Sequence, residues 1–400
     1  MELQMPKIFE GLRILDLSQF ISGPWTSIFF ADQGAEVIKV ESPPFGEAFR
    51  LFVLFDKTIF PLFSILNRGK KSISLNLRKE EGQEIFKKLV EESDVIVENF
   101  VKGTMEKWGI GYEQLKKINP ELIYTKISGY GNFGVEQYTK KTAFDIIIQA
   151  QAGILDALDI KTGPPKLPIA DYTAGHIAAM GISQALYYRE KTGKGQFIDV
   201  SMHDLMFAIN MRAQAKEFIP LASSLDLGSK FLPIYNQYHC QDGLIAMTTL
   251  TEKQFKRLCE NVLEKPEMVD DPKLDNPIKR FNHVDMLDGI IEEWTRTKTR
   301  DEAIKALEKV RIPCGKTLTL DEVHDHPNLK ERGMLVDHFD FSKWNVDKAS
   351  IPGPLIKFSE TEGVVDAPGP EFRQNNEDIF CNLLGYDKKE LKKWKRKKII

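Results

Sequence analysis

The sequence lacks several features that would identify common classes of protein. No apolar run reaches the roughly 18–20 residues that a membrane-spanning helix needs, and the first residues contain no apolar signal core. The 400 residues include four Cys, far apart and without a CxxC pair, and seven His without a metal-ligand spacing. We therefore expect no metal, no disulfide framework and a reducing, cytoplasmic environment. The net charge of −3 gives no bias toward nucleic acid or membranes, so neither is expected as a partner.

A GxGxxG loop is also absent after the first predicted strand, which argues against dinucleotide binding. The first half of the chain contains instead an alternation of apolar strands and amphipathic helices. The strands are predicted at 12–17, 36–40, 72–77, 94–98, 122–127 and 197–201, and the helices at 25–33, 80–92 and 176–190. Strands that are apolar along their whole length are typical of sheets covered on both faces. The pattern predicts a parallel α/β sheet.

The length is sufficient for two or three domains. We predict a large α/β domain at 1–220 and a smaller α+β domain at 225–325, joined by a Ser-, Leu- and Gly-rich linker at 220–230. The segment 330–400 is rich in Pro and Gly and is predicted to return to the large domain. Its basic end, 388–398, is interpreted as a solvated helix face in preference to an anion-binding arm.

Asp171 is the candidate catalytic residue. It lies between the turn Gly163-Pro164-Pro165 and an apolar run from His176 to Leu186 that predicts a helix. At or just before a helix start, a carboxylate can accept backbone N–H groups and interact with the positive end of the helix dipole. This stretch alone favours a plain helix N-cap, and only the wider sequence favours a catalytic role.

A series of segments runs through almost the whole chain in a family-specific order. They are GLRILDL at 11–17 with Gly23-Pro24, DQGAEVIKVESP at 32–43, NRGKKSISLNL at 67–77, DVIVENF at 94–100, SGYG at 128–131, Asp171, KTGKGQ at 191–196, IPCG at 312–315 and DEV at 321–323. In this order they resemble the class III (CaiB/BaiF) coenzyme A transferases, which include formyl-CoA, carnitine and bile-acid CoA transferases. Each motif alone is weak, and their ordered succession is specific.

The resemblance implies a fold and an activity. The fold is a ring-like chain with a large Rossmann-like domain and a small domain, and two such rings interlock as a homodimer. The activity moves coenzyme A from an acyl-CoA to a small carboxylic acid. Asp171 aligns with the family's nucleophile, whose carboxylate forms first a mixed anhydride and then an aspartyl-CoA thioester. Covalent catalysis of this kind divides one difficult transfer into easier steps.

The resemblance also implies where coenzyme A binds. Its phosphates require cations, and a compact basic turn precedes the third predicted strand. Asn99 and Phe100 follow a strand end, where open α/β sheets bind ligands. Lys107 is at a position where the family commonly has an Arg. A Lys keeps the positive charge but cannot donate two parallel hydrogen bonds to a phosphate as Arg does. The predicted coenzyme A contacts are Asn67, Arg68, Lys70, Lys71, Asn99, Phe100 and Lys107.

Two alternative functions remain at this point. Related α-methylacyl-CoA racemases have a His-Asp pair upstream of the Asp that matches Asp171. At that position this chain has Ala143-Phe144-Asp145, with Phe144 in place of the His. Phe144 cannot accept a proton, which counts against racemisation. A catalytically inactive CoA-binding protein would keep the basic turn and tolerate loss of Asp171. The family's glycine-rich loop in the small domain has no clear counterpart, and the acyl donor and acceptor acid cannot be read from the sequence.

Overall fold

The computed structural model describes residues 7–52, 60–214, 232–337, 339, 341 and 349–400. The chain divides into two compact units. The first comprises Met1–Gln214 together with Pro327–Ile400, and the second comprises Ala215–His326. The predicted linker at 220–230, and with it the domain boundary between 220 and 225, lies outside the described residues.

The first unit is built on a sheet of six parallel strands in the order β3-β2-β1-β4-β5-β6. The strands are β1 (Arg13–Asp16), β2 (Glu36–Glu41), β3 (Lys71–Ser74), β4 (Val95–Glu98), β5 (Ile123–Ser128) and β6 (Phe197–Ser201). The strand order reverses between β1 and β4, since Ile14 of β1 pairs with both Val37 of β2 and Val95 of β4. Ligands of open α/β sheets bind at the carboxyl ends of the strands beside such a reversal.

The central strands are buried on both faces, which explains their continuous apolar sequence. In β4, Val95 and Val97 face one core with Ile14, while Ile96 faces the other core with Leu15. The predicted parallel α/β sheet is therefore confirmed, with strand positions within a few residues of those expected from the sequence.

The helices differ widely in length. Those of residues 7–214 are α1 (Ser22–Ala31), α2 (Ala48–Phe52), α3 (Phe60–Leu66), α4 (Glu80–Glu91), α5 (Thr104–Lys107), α6 (Tyr112–Leu115), α7 (Glu136–Thr139), α8 (Asp145–Gln151), α9 (Ile154–Ala157), α10 (Ile169–Thr192), α11 (Met202–Ile209) and α12 (Met211–Gln214). Those of residues 232–400 are α13 (Glu252–Asn261), α14 (Pro277–Asn282), α15 (Val284–Arg296), α16 (Arg300–Lys309), α17 (Leu320–His324), α18 (Pro327–Glu331) and α19 (Lys388–Arg396), with a 3₁₀ turn at Pro266–Met268 and a π-helix at Asp378–Leu383.

The second unit contains an antiparallel sheet in the order β7-β8-β9, with β7 at Tyr235–Cys240, β8 at Gly243–Thr248 and β9 at Cys314–Lys316. Three of its helices begin with a capping box, in which a Thr hydroxyl and a Gln or Glu side chain satisfy each other's backbone N–H groups. Its core includes Tyr238, Ile245 and Leu258.

The last segment of the chain, which belongs to the first unit, packs against the parallel sheet of that unit. After a short antiparallel pair, β10 (Leu335–Val336) and β11 (Ile351–Pro352), Asn375 and Asn376 cover the exposed edge of β3. Their side-chain oxygens accept the N–H groups of Ser72 and Ser74, each at 2.9 Å. An unpaired strand edge would otherwise be open to other chains, so these contacts close the sheet on this side. Trp394 of α19 is buried in the same core as β3.

Candidate active site

A cavity of about 230 Å³ lies at the carboxyl ends of β1, β4 and β5. Its lining comes from the segments that follow these three strands and from the starts of α8, α10 and α11. The lining residues are Gln19, Phe20, Ser22, Asn99, Phe100, Val101, Lys102, Ile127, Ser128, Gly129, Tyr130, Thr139, Lys141, Thr142, Ala143, Phe144, Asp171 and Met202. The cavity therefore occupies the position beside the strand-order reversal where a ligand site is expected.

Asp171 is the third residue of α10, and its side chain is half-buried in this cavity. Burial raises the pKa of its carboxyl to about 7, with a further increase from the charge of Asp145 and a decrease from a hydrogen bond to the Ser22 side chain. Desolvation and a like charge both disfavour an ionised carboxylate, which explains the direction of the shift. Near neutral pH the group is divided between its protonated and ionised forms.

The helix that carries Asp171 begins earlier than the sequence pattern indicated. The apolar run predicted a helix from residue 176, but α10 begins at Ile169, directly after Pro168. The N-cap is supplied by another helix, because Asp145 at the start of α8 accepts the backbone N–H groups of Ala170 at 2.8 Å and Asp171 at 3.2 Å. Asp171 is therefore not the cap of its own helix, and its carboxylate remains directed to the cavity.

A glycine permits α10 to approach the start of α1 closely. A Cβ at Gly175 would lie 2.8 Å from the backbone oxygen of Ser22 and 2.8 Å from the Trp25 ring. Because real Cβ atoms do not tolerate such contacts, any larger residue here would push the two helices apart. Gly175 thus helps to keep Ser22 within reach of Asp171.

Asn99 holds the segment that contains Ser22. Its Oδ1 accepts the N–H of Gln19 at 2.9 Å, and its Nδ2 donates to the oxygen of Gln19 at 2.8 Å and to Oγ of Ser22 at 3.3 Å. Phe20 adopts a left-handed φ of 62°, which is uncommon for a bulky residue. Asn99, which was predicted to contact coenzyme A, therefore lines the cavity and also positions Ser22, the hydrogen-bond partner of Asp171.

Phe100 is fixed by a buried ion pair beneath the cavity. Its backbone N–H donates to Glu98 at 2.7 Å, and Glu98 accepts from Nζ of Lys126, also at 2.7 Å. Both charged side chains are almost fully buried. The ring of Phe100 meets that of Trp108 edge to face, with centroids 5.6 Å apart. Phe100, which was also predicted to contact coenzyme A, thus lines the cavity with a backbone that is held in place by Glu98.

The basic turn does not line the cavity. Lys70 is fully buried and donates to Asp16 at 2.8 Å, to the oxygen of Pro24 at 3.0 Å and to Oδ1 of Asn67 at 3.0 Å. Burial lowers the pKa of Lys70 to about 8, although Asp16 opposes this shift. Burial also opposes ionisation of Asp16, but the charges of Lys70 and Lys39 outweigh it and hold the pKa of Asp16 below its usual range.

The other cations of the turn are also paired within the protein. Arg68 is fully buried and forms a bidentate pair with Asp32, at 3.0 Å and 2.7 Å. Lys71 contacts Glu36 and Asp378, each at 2.7 Å. The turn, including Asn67, therefore has a structural role, and the predicted binding of coenzyme A by its four side chains gains no support from this arrangement. The turn supports the site indirectly, because Asp16 also accepts the backbone N–H of Ser18, directly before the cavity residue Gln19.

Lys107 ends α5 and is exposed, and it is not among the residues that line the cavity. Four functional candidates were missed from the sequence, namely Ser22, Lys102, Asp145 and Lys141. Ser22 and Lys102 follow the ends of β1 and β4, and this position could have identified them. The contacts of Asp145 with α10 join segments distant in sequence, which a sequence pattern does not reveal, and Lys141 follows no strand end.

Within the described ranges, no group of three or more His, Cys, Asp or Glu side chains is placed to hold a metal ion. None of the helices in those ranges is long and apolar enough to cross a membrane.

Comparison with known proteins gives consistent matches over nearly the whole chain. The model of CoA-transferase family III matches residues 9–376. The chain is 31% identical to a succinyl-CoA–D-citramalate CoA-transferase of Chloroflexus aurantiacus, covering 99% of this chain and 98% of that protein. It is 32% identical to an acetyl-CoA:oxalate CoA-transferase of Acetobacter aceti, covering 90% and 92%.

Two solved structures show the same fold. A CAIB/BAIF family protein from Brucella suis superposes with a TM-score of 0.77 at 30% identity, covering 94% of this chain and 100% of that one. The orthorhombic form of Rv3272 from M. tuberculosis gives 0.78 at 26% identity, covering 93% and 99%.

Proposed function

The chain belongs to CoA-transferase family III and moves coenzyme A from an acyl-CoA thioester to a free carboxylic acid, and we propose that the carboxylate of Asp171 carries this transfer covalently. The observation that supports the proposal most is the position of Asp171. It is the carboxylate that lines the cavity at the strand-order reversal, on the first turn of the helix α10.

The proposed reaction has four steps that balance. An ionised oxygen of Asp171 attacks the thioester carbonyl and expels coenzyme A thiolate, which leaves a mixed anhydride. The thiolate then attacks the aspartyl carbonyl and releases the first acid, which leaves an aspartyl-CoA thioester. The incoming carboxylate attacks this thioester and expels the thiolate again. Finally the thiolate attacks the new acyl carbonyl, which releases the product acyl-CoA and regenerates Asp171.

The surroundings of Asp171 suit this role. A carboxylate whose pKa is raised to about 7 is a stronger nucleophile than an ordinary one, and it is still substantially ionised near neutral pH. The Ser22 hydroxyl orients it. Helix α1 begins at Ser22, so the first N–H groups of this helix have no intrahelical acceptor. Since Ser22 lines the cavity, we propose its N–H group as a donor to the thioester oxygen as negative charge develops on it.

Among the predicted coenzyme A contacts, Asn99 and Phe100 line the cavity with Asp171. We propose that this segment contacts the pantetheine arm next to the thioester. The exposed ammonium of Lys107 is available for a phosphate of the nucleotide, since no ion pair holds it among the described residues.

The racemase alternative is disfavoured by the same geometry. A racemase needs a second group that can accept and return a proton. Phe144 lines the cavity at the position where related racemases have a His. The neighbouring Asp145 is occupied as the cap of α10.

We also propose the assembly and location that the family resemblance implies, namely an interlocked homodimer of ring-like chains in the cytoplasm. The two compact units would be the large and small domains of such a chain. Apolar side chains exposed on α10 and α11 support this proposal, because Met180, Tyr187 and Phe207 are each more than half exposed. Exposed apolar surface of this kind is commonly covered by a partner chain.

A transfer assay tests the proposed function. Pairs of acyl-CoA and free acid are incubated with the protein and the new thioesters are identified by mass spectrometry. The relatives are named for succinyl-CoA with mesaconate or D-citramalate and for acetyl-CoA with oxalate, so these pairs come first. We expect Asp171→Asn to abolish transfer, while Asp156→Asn, a change of an exposed carboxylate on α9, leaves it intact. Retention of more than a few per cent of the activity in Asp171→Asn would refute the role of Asp171.

A further inference from the structure

Two lysines, Lys102 and Lys141, line the cavity. Nζ of Lys102 donates to the backbone oxygen of Asn132 at 2.7 Å and contacts Oγ1 of Thr139 at 3.4 Å. Nζ of Lys141 lies 4.5 Å from the centre of the Tyr138 ring. These partners are all uncharged, and neither lysine forms an ion pair with a described residue. Among the described residues, no ion pair therefore neutralises these two ammonium groups, and Lys102 interacts with the charge of Glu136 only without direct contact.

Their neighbour Lys140 differs in both respects. It forms an ion pair with Glu136 of α7, and it is not among the residues that line the cavity. Glu136 is thereby already occupied by a cation on its own segment. All three lysines are exposed, but Lys140 is held in an ion pair, whereas Lys102 and Lys141 line the cavity.

The two cavity lysines retain donors for a ligand. An ammonium group has three N–H donors. Lys102 has two acceptors within reach, and Lys141 is placed on the face of an aromatic ring, which attracts its charge without accepting a conventional hydrogen bond. The lining also includes the rings of Phe20 and Phe144, which meet edge to face with centroids 5.9 Å apart. An anion that also carries apolar carbon fits such a lining.

The size of the cavity indicates which part of the substrate supplies the anion. Its volume of about 230 Å³ is below the roughly 300–1,000 Å³ of sites that enclose whole ligands of drug size. A thioester carbonyl at Asp171 places the acyl group in this volume. The phosphates of coenzyme A lie at the other end of the long pantetheine arm. A second carboxylate on the acyl group, by contrast, is only a few bonds from the thioester.

From these observations, and resting on the proposed function, we propose that Lys102 and Lys141 bind the distal carboxylate of a dicarboxylic acyl group. They would thereby select dicarboxylic over monocarboxylic substrates. The shared chemistry is recognition of a small anion by two ammonium groups. Such an anion could also come from a coenzyme A phosphate, so the test separates the two sources.

The test compares two thioesters that differ only in the distal group, succinyl-CoA with a carboxylate and butyryl-CoA with a methyl. Binding is measured by titration calorimetry in the Asp171→Asn background, where turnover does not interfere. Each lysine is replaced separately in Lys102→Met and Lys141→Met, with Lys102→Arg as the variant that keeps the charge. Lys140→Met is the matched control. Thermal unfolding verifies that each variant is folded.

We expect the Asp171→Asn protein to bind succinyl-CoA about tenfold more tightly than butyryl-CoA, a difference of about 1.4 kcal/mol. Lys102→Met and Lys141→Met should each lose most of this preference by weakening succinyl-CoA binding alone. Lys102→Arg and Lys140→Met should retain it. Binding of coenzyme A relative to 3′-dephospho-CoA should be unchanged in all the variants.

Three results would overturn the inference. One is equal binding of the two thioesters by the Asp171→Asn protein. The second is a preference that persists in both Met variants. The third is weaker binding of both thioesters with lost discrimination between coenzyme A and 3′-dephospho-CoA, which would assign the lysines to a phosphate. If the protein bound neither thioester and transferred no coenzyme A, the proposed function itself would fail and the inference with it.

Discussion

The charge of Asp145 should control the pH at which the enzyme becomes active. Asp145 caps α10 through one oxygen, and its negative charge contributes to the raised pKa of Asp171. The substitution Asp145→Asn removes the charge and keeps an oxygen for the cap, since Asn and Asp are comparable N-caps. Because only ionised Asp171 can attack, kcat/KM should fall as the pH decreases through about 7 in the unsubstituted enzyme.

The size of the effect follows from the like charge of Asp145. A neighbouring charge typically shifts the pKa of a carboxyl group by roughly 1–3 units. Asp171 is only half-buried, so solvent screens part of the repulsion, and we expect a shift of about one unit.

The assay is the pH dependence of kcat/KM for coenzyme A transfer between pH 5 and 9. In Asp145→Asn the acid limb should move toward lower pH by about one unit, with little change at the plateau. Asp145→Ala is the control for the cap, and it should lower stability by about 1 kcal/mol. An acid limb that is unchanged in Asp145→Asn, or that lies near pH 4 in the unsubstituted enzyme, would refute this account of Asp171.

Two further predictions concern the neighbours of Asp171 and the basic turn. Ser22→Ala removes the hydrogen bond that favours ionised Asp171. The acid limb of the pH profile should therefore move toward higher pH by about one unit. A shift toward lower pH would contradict the assigned contact. Lys70→Met leaves the charge of Asp16 buried without its partner, and it should lower the free energy of unfolding by about 3–5 kcal/mol. The ion pairs of Lys71 are partly exposed, so Lys71→Met should lower it by about 1 kcal/mol or less. Denaturant titration measures both values. Neither variant should raise the KM for acyl-CoA, and a selective rise in folded Lys71→Met would place coenzyme A at the basic turn.

The sheet could be predicted because its signal is local. Strands such as β4 are continuous apolar runs bounded by polar residues, and the helices between them show an amphipathic period. The start of α10 could not be predicted in the same way. Residues 169–175 carry little apolar periodicity, and the capping carboxylate of Asp145 comes from a helix more than 20 residues away.

The site was predictable only in part, for a similar reason. The family-specific order of motifs identified Asp171, Asn99 and Phe100, which the cavity brings together. The charges of the basic turn were predicted to bind coenzyme A, because the acidic partners that they have within the protein are distant in sequence. Arg68 pairs with Asp32, 36 residues away, and Lys70 pairs with Asp16, 54 residues away. Sequence shows the presence of a cation, whereas its burial and pairing are properties of the tertiary structure.

The central claim is that Asp171 becomes covalently attached to coenzyme A during transfer. The most direct measurement incubates the enzyme with an acyl-CoA substrate, traps the intermediate with borohydride or hydroxylamine, and identifies the modified peptide by mass spectrometry. The account predicts that residue 171 is recovered as homoserine after borohydride or as a hydroxamate after hydroxylamine, only when acyl-CoA is present. An unmodified Asp171 under conditions of rapid transfer, or a modification on another residue, would contradict it.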